Sequence, residues 1–359
     1  MTFRLDVEPY RAQLASTVGN QRQRHALREG AIVRLSIGDV TGLGEAAPLP
    51  GYSDETFERS LAELRSFDPL ALPPFGAAAR NAGLLNALEQ VLSALAPSAR
   101  FALETAYLDA HARASSLPLH RLLQRLWGTA ESDAGVRAQL SALVNDRADA
   151  ERALNAGFRC LKLKVGATTG FERELQELQA VRALSADVTL RLDANQAFGA
   201  EQTPPRLRRL AAYGLEFIEE PCPQAWSVGP LPVPLALDES LRQPELPALE
   251  ELASRVAAVV LKPTTLGGFA RCFELARRAE TAGIARVVSH TFEGVIAHAA
   301  CCELALALGA QARAHGLAPH AALNAWNEVS PRLRAAELVA GDAPGLGLSH
   351  VERRVNAPC

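Results

Sequence analysis

Two lysines, Lys162 and Lys164, stand two positions apart in a chain that has only three lysines among its 37 lysine and arginine residues. Residues i and i+2 of a β-strand share one face, so a strand over residues 160–165 would point both amines in the same direction. Neighbouring ammonium groups disfavour each other's charge, and an amine that loses its proton can act as a base, which an arginine cannot. The pair therefore predicts an acid/base lysine, although two surface lysines on an edge strand would show the same spacing.

Three carboxylates end successive candidate strands: Asp193, Glu219 and Asp238. If those strands lie side by side, their carboxyl ends meet, and the three negative charges repel one another unless a cation joins them. Hard oxygen ligands of this kind suit Mg²⁺ or Mn²⁺. One such acid alone is typical of a solvated side chain or a helix cap, whereas three at successive strand ends predict a metal site.

Further candidates follow later strands. Lys262 ends the strand that lies across a barrel from that of Lys164. Gly267 and Gly268 come next, where backbone N–H groups could approach an anion, although a plain loop has the same composition. Ser289 ends the following strand and could donate a hydrogen bond to a substrate carboxylate or carbonyl, or have a structural role alone.

These residues are positioned by a regular alternation of strands and helices, which begins near residue 137. Alternating β and α segments predict parallel strands with helical crossovers, and eight such strands fit a barrel better than an open sheet. The candidate strands cover residues 137–144, 160–165, 188–193, 216–219, 235–238, 257–262, 286–289 and, most weakly, 311–315. The residues before 137 are predicted to contain both strands and helices. They comprise a strand over 31–36, a helix over 54–66 capped by Ser53 or Asp54, and largely helical structure over 101–126.

Composition excludes several classes of protein. A formal net charge of -3 and a pI near 6.3 do not indicate the excess of positive charge that is typical of proteins that bind nucleic acid. The six cysteines form no CxxC pair, and HExxH, GxSxG and GxxxxGK[ST] motifs are absent. Neither a signal-peptide pattern nor a run of about 18 uncharged apolar residues occurs. We expect a cytoplasmic protein with a small-molecule partner, no nucleic acid and no membrane, and self-association into a homo-oligomer stays open.

Five ordered motifs resemble the enolase superfamily, in particular its muconate cycloisomerase subgroup. They are KLK at 162–164, LDAN at 192–195, IEEP at 218–221, LDES at 237–240 and LKP at 261–263. Within the subgroup, the segments 42–56 and 219–224 and the tail 315–326 most resemble the o-succinylbenzoate synthases of menaquinone biosynthesis. Those enzymes are hydro-lyases that act through an enediolate intermediate.

The resemblance implies a fold and a set of roles. The fold is an α/β (β/α)₇β modified TIM barrel over residues 106–320, with an α+β capping domain over 1–105 that residues 321–359 complete. The implied roles are metal ligands (Asp193, Glu219, Asp238), acid/base lysine (Lys164), its tuning neighbour (Lys162), opposite-face lysine (Lys262) and substrate contacts (Asn195, Ser289). Residues 17–28 correspond to a mobile cap loop, in which Arg22, Arg24 and Arg28 are unassigned candidates for carboxylate contacts.

The specific reaction stays open at this point. A racemase of N-succinylamino acids would use Lys164 and Lys262 as alternating bases, and it needs the same residues as a synthase. A dipeptide epimerase usually carries an Asp-x-Asp motif at the eighth strand, which this chain lacks. Remoter alternatives are a non-catalytic binding barrel and a Schiff-base aldolase, which would need one lysine in an apolar pocket and no metal triad.

Overall fold

The computed structural model describes residues 2–19, 24–76, 83–128, 136–166, 170–309, 313–349 and 351–354. The strands are β1 (Phe3–Gly19), β2 (Arg24–Ile37), β3 (Val40–Ala46), β4 (Arg137–Gln139), β5 (Ser141–Val144), β6 (Cys160–Lys164), β7 (Thr189–Asp193), β8 (Leu215–Glu219), β9 (Leu235–Leu237), β10 (Val256–Leu261), β11 (Ala285–Val288), β12 (Leu333–Arg334) and β13 (Glu337–Val339). The α-helices are α1 (Phe57–Ser66), α2 (Gly83–Leu92), α3 (Pro97–Ala114), α4 (Leu119–Trp127), α5 (Arg147–Asn155), α6 (Phe171–Arg182), α7 (Thr203–Leu210), α8 (Leu249–Leu252), α9 (Pro263–Leu266), α10 (Phe269–Thr281) and α11 (Val295–Ala307). In these ranges no helix has the length and apolarity needed to cross a membrane.

A closed parallel barrel forms the larger part of the molecule. Strands β5 to β11 lie side by side in chain order, each parallel to the next. The weak eighth strand is reduced, in the described residues, to bridges of His315 to Leu140 and of Gly316 to Ser289. The N–H of Gly316 donates to the Val288 carbonyl at 2.9 Å, while the carbonyl of His315 accepts from the first barrel strand at 2.8 Å. These bonds join the last strand to the first, so the predicted (β/α)₇β barrel is confirmed.

The first predicted barrel strand is two strands in the structure, which corrects the single element expected over 137–144. β4 pairs antiparallel with β13 of the C-terminal segment, whereas β5 pairs parallel with β6 in the barrel. The N–H of Leu140, between them, donates to the Ala336 carbonyl at 2.8 Å. A period-2 pattern cannot reveal this change of partner, because both strands need the same alternation.

The N-terminal cap is an antiparallel sheet in the order β1-β2-β3, backed by α3. The register of β1 against β2 shifts between Gln13 and Val18, which marks a bulge in the long hairpin. Helix α1 begins after Thr56, whose side chain accepts a hydrogen bond from the N–H of Arg59. The cap residue expected at Ser53 or Asp54 is therefore wrong by two or three positions, within the usual error of helix boundaries.

Two buried carboxylates from the N-terminal part bind the first turns of barrel helices. Glu45 of β3 accepts backbone N–H bonds from Gly294, Ile296 and Ala297, at 2.8–3.0 Å, at the start of α11. Glu104 of α3 accepts from the first residues of α10 in the same way. A helix N-terminus offers unpaired N–H groups and a positive dipole, so both contacts anchor the cap to the barrel. The predicted boundary at residue 105 falls inside α3, and the division into cap and barrel stays a prediction.

Gly44 permits the close approach of β3 to α3, and we expect Gly44→Ala to destabilise the protein. A Cβ at Gly44 would collide with the backbone carbonyl of Ala102, which cannot move aside as a flexible side chain can. Overpacking of this kind costs about 1–3 kcal/mol of unfolding free energy. Urea unfolding should show the loss as a lower midpoint.

The matched control is Gly229→Ala, because among the described residues, its two chain neighbours aside, no atom lies within 4 Å of a Cβ built there. Alanine at a compatible position leaves stability unchanged or raises it slightly. Equal midpoints for the two variants would contradict the close packing of β3 on α3.

Candidate active site

The three predicted carboxylates meet at one end of the barrel. Asp193 and Glu219 are the last residues of β7 and β8 and are partners in the strand register. Asp238 directly follows β9, the next strand of the sheet. Each of the three is at most 3% exposed to solvent. The structure therefore brings together the acids that the sequence placed at successive strand ends.

Two of the three lysines are paired with these acids. The Lys162 Nζ atom lies 3.1 Å from Glu219 Oε2 and 3.3 Å from Asp193 Oδ2. Lys262 donates to Asp238 from the other side. The ammonium groups thus lie between the carboxylates and partly neutralise them.

Tyr52 completes the contact between Lys262 and Asp238, and sequence reasoning missed it. Its hydroxyl donates to Asp238 Oδ2 at 2.6 Å and accepts from the Lys262 amine at 2.7 Å. The amine also lies 4.7 Å from the centre of the tyrosine ring, a cation–π distance. Tyr52 belongs to the loop between β3 and α1, so the cap reaches into the barrel mouth at this point. The only signal in the sequence was its place within the segment 42–56.

Lys164 has a different setting from the other two lysines. Its amine donates to the carbonyl of Gly19 at 3.0 Å and to Asn195 Oδ1 at 3.2 Å. Among the described residues it forms no ion pair with a carboxylate. Burial is the main cause that lowers the pKa of Lys164. The negative charge of Asp193 opposes this shift, and the neighbouring Lys162 and Lys262 lower the pKa further. The predicted acid/base lysine therefore has the environment that makes an amine a better base.

The carboxylates fit a divalent cation, as a buried oxygen without a hydrogen-bond partner indicates. Glu219 Oε1 is shielded from solvent and accepts no hydrogen bond in the described part of the chain. Burial, and then the negative charge of Asp193, raise the pKa of Glu219 to about 8. In that same part of the chain, no group of three or more His, Cys, Asp or Glu side chains is already gathered as a metal cage. Three oxygen-bearing side chains on adjacent strands are nevertheless the donor set that Mg²⁺ prefers.

Glu220 ties the carboxyl ends of β8 and β9 together. Its Oε1 accepts from the N–H groups of Asp238 and Ser240 at 2.8 and 2.9 Å, and its Oε2 accepts from the Ser240 hydroxyl at 2.7 Å. Asn195 and Glu220 both adopt left-handed backbone conformations, with φ of 41° and 43°. Such strained residues cluster at functional sites, where surrounding contacts hold them in place. Sequence reasoning did not assign Glu220, although the Glu219–Glu220 doublet was visible.

A cavity of about 760 Å³ opens over this site, between the barrel mouth and the cap. It is lined by all three lysines together with Asp193, Asn195, Ser289, Tyr52 and Arg24, among others. The Ser289 hydroxyl donates to the Gly316 carbonyl at 3.3 Å. A second groove, of about 850 Å³, lies between the cap sheet and the C-terminal tail and contains none of the predicted site residues.

The other predicted contacts are placed as follows. Gly267 and Gly268 do not line the cavity over the site. The backbone N–H groups of the next two residues, Phe269 and Ala270, donate to the carboxylate of Glu104. Arg28 is buried and donates to three backbone carbonyls. Arg22 lies outside the described residues.

Comparisons with known proteins agree with this arrangement. The family described as enolase C-terminal domain-like matches residues 145–354, more than half of the chain. The chain belongs to the enolase superfamily. The family described as MenC, N-terminal domain, matches residues 5–68, which belong to the cap. The predicted family is confirmed, and since members of this superfamily are enzymes, so is the prediction that this protein is one.

Curated relatives of this chain include proteins named o-succinylbenzoate synthase. The protein of Yersinia pseudotuberculosis serotype I (strain IP32953) is 29% identical over 300 residues, covering 79% of this chain and 80% of the relative. The protein of Aliivibrio fischeri (strain MJ11) is 29% identical over 296 residues, covering 80% of this chain and 82% of the relative.

Solved structures share the whole fold of this superfamily member. The L-Ala-D/L-Glu epimerase from Bacillus subtilis has a TM-score of 0.80 at 21% identity, over 97% of this chain and 99% of that chain. The muconate lactonizing enzyme from Pseudomonas fluorescens, complexed with muconolactone, has a TM-score of 0.78 at 24% identity, over 96% and 95%. The dipeptide epimerase from Methylococcus capsulatus, complexed with Mg and the dipeptide L-Arg-D-Lys, has a TM-score of 0.77 at 25% identity, over 98% and 100%.

Proposed function

We propose that this superfamily member is an o-succinylbenzoate synthase. Such an enzyme dehydrates 2-succinyl-6-hydroxy-2,4-cyclohexadiene-1-carboxylate to o-succinylbenzoate in menaquinone biosynthesis. The observation that carries proton abstraction in this proposal is the setting of Lys164, whose amine lines the cavity beside three buried carboxylates without an ion pair to them in the described residues. The MenC N-terminal match and the two synthases at 29% identity support the same reaction.

The lysines have distinct roles in this proposal. Lys164 takes the proton from the carbon next to the substrate carboxylate and then gives a proton to the hydroxyl that leaves from the same face. Water departs and the ring becomes aromatic. Lys162, held between Asp193 and Glu219, keeps a positive charge next to Lys164 and so disfavours its protonated form. Lys262 stays protonated and stabilises the developing charge from the opposite face of the ring.

Asp193, Glu219 and Asp238 would hold Mg²⁺ or Mn²⁺. When bound, such an ion stabilises the negative charge that develops on the substrate carboxylate as its α-proton leaves. Asn195 would orient the Lys164 amine, which donates to its side-chain oxygen, and Ser289 would contact the substrate from the cavity wall. Gly267 and Gly268, which lie away from the cavity, have no role in this proposal.

Turnover tests the proposal. Purified protein with Mg²⁺ should consume the cyclohexadiene carboxylate, followed as the loss of its ultraviolet absorbance, and the product should be o-succinylbenzoate. A folded, Mg²⁺-loaded protein that leaves this substrate unchanged would contradict the proposed reaction.

A racemase or epimerase of N-succinylamino acids or dipeptides is the second candidate. The observation that favours it is the position of Lys262, because β10 lies four strands from β6 and so faces Lys164 across the barrel. Two amines on opposite faces of a substrate could exchange its α-proton in both directions. Solvent deuterium incorporated into an N-succinylamino acid would support this candidate. The intact carboxylates and lysines give no support to a non-catalytic barrel.

A further inference from the structure

The two acids of the Glu219–Glu220 doublet are bonded in opposite ways, although each is only 1% exposed. Glu219 Oε1 has no hydrogen-bond partner in the described residues, whereas the oxygens of Glu220 accept four hydrogen bonds. The donors are the N–H groups of Asp238 and Ser240, the Ser240 hydroxyl and, at 3.1 Å, the side-chain amide of Gln196. A carboxylate has about four lone-pair sites. Glu220 therefore has none left for a cation and is a neighbour of the metal ligands.

The partners of Glu220 belong to the strand ends on both sides of β8. Asp238 directly follows β9, and Gln196 lies three positions after Asp193, the last residue of β7. The main chain of Glu220 makes the same two connections. Its N–H donates to the Ala236 carbonyl at 3.2 Å, and its carbonyl accepts from the Gln196 N–H at 2.7 Å. One residue thus bonds to both segments that carry the other two proposed metal ligands.

The turn after Asp193 depends on these bonds. Asn195 and Gln196 both have left-handed backbone conformations, with φ of 41° and 58°. Residues with a Cβ keep such conformations only where surrounding contacts hold them, and Gln196 is held by two hydrogen bonds to Glu220. The N–H of Asn195 donates to Asp193 Oδ1 at 3.1 Å, so the same turn orients the Asp193 carboxylate. Loss of the Glu220 side chain would let this turn relax.

We propose that Glu220 is a positioning residue, which fixes the relative positions of Asp193, Glu219 and Asp238 and so makes the site selective for Mg²⁺ over the larger Ca²⁺. The inference rests on the proposed function for the assignment of these three acids as metal ligands. Mg²⁺ demands nearly ideal octahedral positions of its ligands, whereas Ca²⁺ accepts longer and less regular ones. Carboxylates held in place therefore favour Mg²⁺, and loosened ones lose that preference.

The ratio of the two affinities distinguishes positioning from two simpler roles of a buried acid. Glu220 could attract the cation through its negative charge, but Mg²⁺ and Ca²⁺ carry the same charge and would gain to a similar extent. It could also stabilise the fold alone, which would lower the midpoint of unfolding without changing the relative affinities. A change in the Mg²⁺ to Ca²⁺ ratio is expected from positioning only.

Calorimetric titration of the metal-free full chain with MgCl₂ and with CaCl₂ tests the inference. Glu220→Met keeps the length of the side chain but leaves the N–H groups of Asp238 and Ser240 without an acceptor. It should weaken Mg²⁺ binding about tenfold, as losses of groups that orient metal ligands do, and leave Ca²⁺ binding within about twofold. Equal losses for both cations, or no loss for either, would overturn the inference.

Glu220→Gln separates hydrogen bonding from charge in the same titration. Glutamine keeps an oxygen for the two backbone N–H groups, and its amide can donate to the Ser240 hydroxyl, which then acts as the acceptor. It should therefore restore most of the Mg²⁺ affinity that Glu220→Met loses. A loss of Mg²⁺ affinity equal to that of Glu220→Met would assign the effect to charge and overturn the positioning role.

Ser240→Ala keeps the inference testable if Glu220→Met does not fold. It deletes one of the four hydrogen bonds to Glu220 and removes only a hydroxyl group. The ratio of Mg²⁺ to Ca²⁺ affinity should fall about threefold, which corresponds to the net contribution of one hydrogen bond. An unchanged ratio in the folded Ser240→Ala protein would overturn the inference.

A matched control is Glu104→Met. Glu104 is also a buried acid that accepts two backbone N–H bonds, from Phe269 and Ala270, and none of these three residues lines the cavity over the site. This replacement should lower the midpoint of unfolding but leave the ratio of Mg²⁺ to Ca²⁺ affinity unchanged. A fall in the ratio equal to that of Glu220→Met would count against the inference.

Turnover of the cyclohexadiene carboxylate, measured on the same preparations, separates the inference from the proposed function. A protein that does not dehydrate this substrate, yet loses its preference for Mg²⁺ with Glu220→Met, would contradict the function and support the positioning role. A protein that dehydrates the substrate, but keeps the same ratio of affinities in every variant, would support the function and overturn the positioning role. Wild-type protein that binds Ca²⁺ as tightly as Mg²⁺ would also overturn it.

Discussion

Lys164→Arg is expected to lower kcat for dehydration by about 10³-fold, within the range that a general acid–base group contributes. Arginine keeps the positive charge and much of the length of the side chain, but it does not give up its proton at ordinary pH. The amine of Lys164 also donates to Gly19 and Asn195, so a guanidinium of similar reach has acceptors available and the fold should survive. Steady-state kinetics on the cyclohexadiene carboxylate, with product binding measured separately, would show the loss in kcat.

Arg147→Lys is the control for this exchange. Arg147 lies on the exposed side of α5 and pairs with Glu151 one turn away, so the reverse replacement should leave kcat unchanged. Near-wild-type turnover by the Lys164→Arg protein would exclude Lys164 as the base and would shift that role to Lys262.

Removal of divalent metal should abolish activity, and Mg²⁺ or Mn²⁺ should restore it. Dialysis against EDTA is the simplest form of this experiment. Glu219→Gln gives a sharper experiment, because it replaces a carboxylate that can ionise to bind a cation with an amide that cannot, at the acid whose Oε1 has no hydrogen-bond partner in the described residues. Changes in groups that merely orient metal ligands cost about 10–100-fold in affinity, so loss of a ligand should weaken Mg²⁺ binding at least as much.

The readout for Glu219→Gln is Mg²⁺ binding by calorimetry, which does not depend on turnover. Glu216→Gln is a matched control, because Glu216 lies on the same strand but pairs with Arg191 and Arg313 away from the cavity. Full activity after exhaustive chelation, or unchanged Mg²⁺ affinity in the Glu219→Gln protein, would contradict the assignment of the three carboxylates.

The barrel could be predicted from the sequence because each of its strands and helices has a pattern that is visible within a short segment of the chain. Each strand is a short apolar segment that ends in polar residues, and parallel order follows from the helices between the strands. Asp193, Glu219 and Lys164 lie at strand ends, so predicting the strands was enough to predict that these side chains meet. The scarcity of lysine sharpened that prediction, since all three lysines line one cavity.

Contacts between distant segments could not be predicted in this way. Tyr52 bonds to residues about two hundred positions away, and no local pattern indicates that a cap loop enters the barrel mouth. The pairing of β4 with β13 depends on where the C-terminal segment returns. Helix α3 places Glu104 at the start of α10, where its carboxylate accepts the first backbone N–H groups of that helix. Gly267 and Gly268, which directly precede α10, therefore lie beside Glu104 and not beside the cavity. The long strand β1 was also missed, although residues 3–7 and 10–14 alternate apolar and polar side chains.

The ratio of two kcat/KM values, measured on one Mg²⁺-loaded preparation, tests the central claim most directly. The numerator is kcat/KM for dehydration of 2-succinyl-6-hydroxy-2,4-cyclohexadiene-1-carboxylate, and the denominator is kcat/KM for racemisation of N-succinylphenylalanine. Dehydration would be followed by ultraviolet absorbance, and racemisation by deuterium incorporation at the α-carbon. An o-succinylbenzoate synthase predicts a ratio clearly above one. Rapid α-proton exchange in the amino acid derivative, with no dehydration of the cyclohexadiene carboxylate, would contradict it.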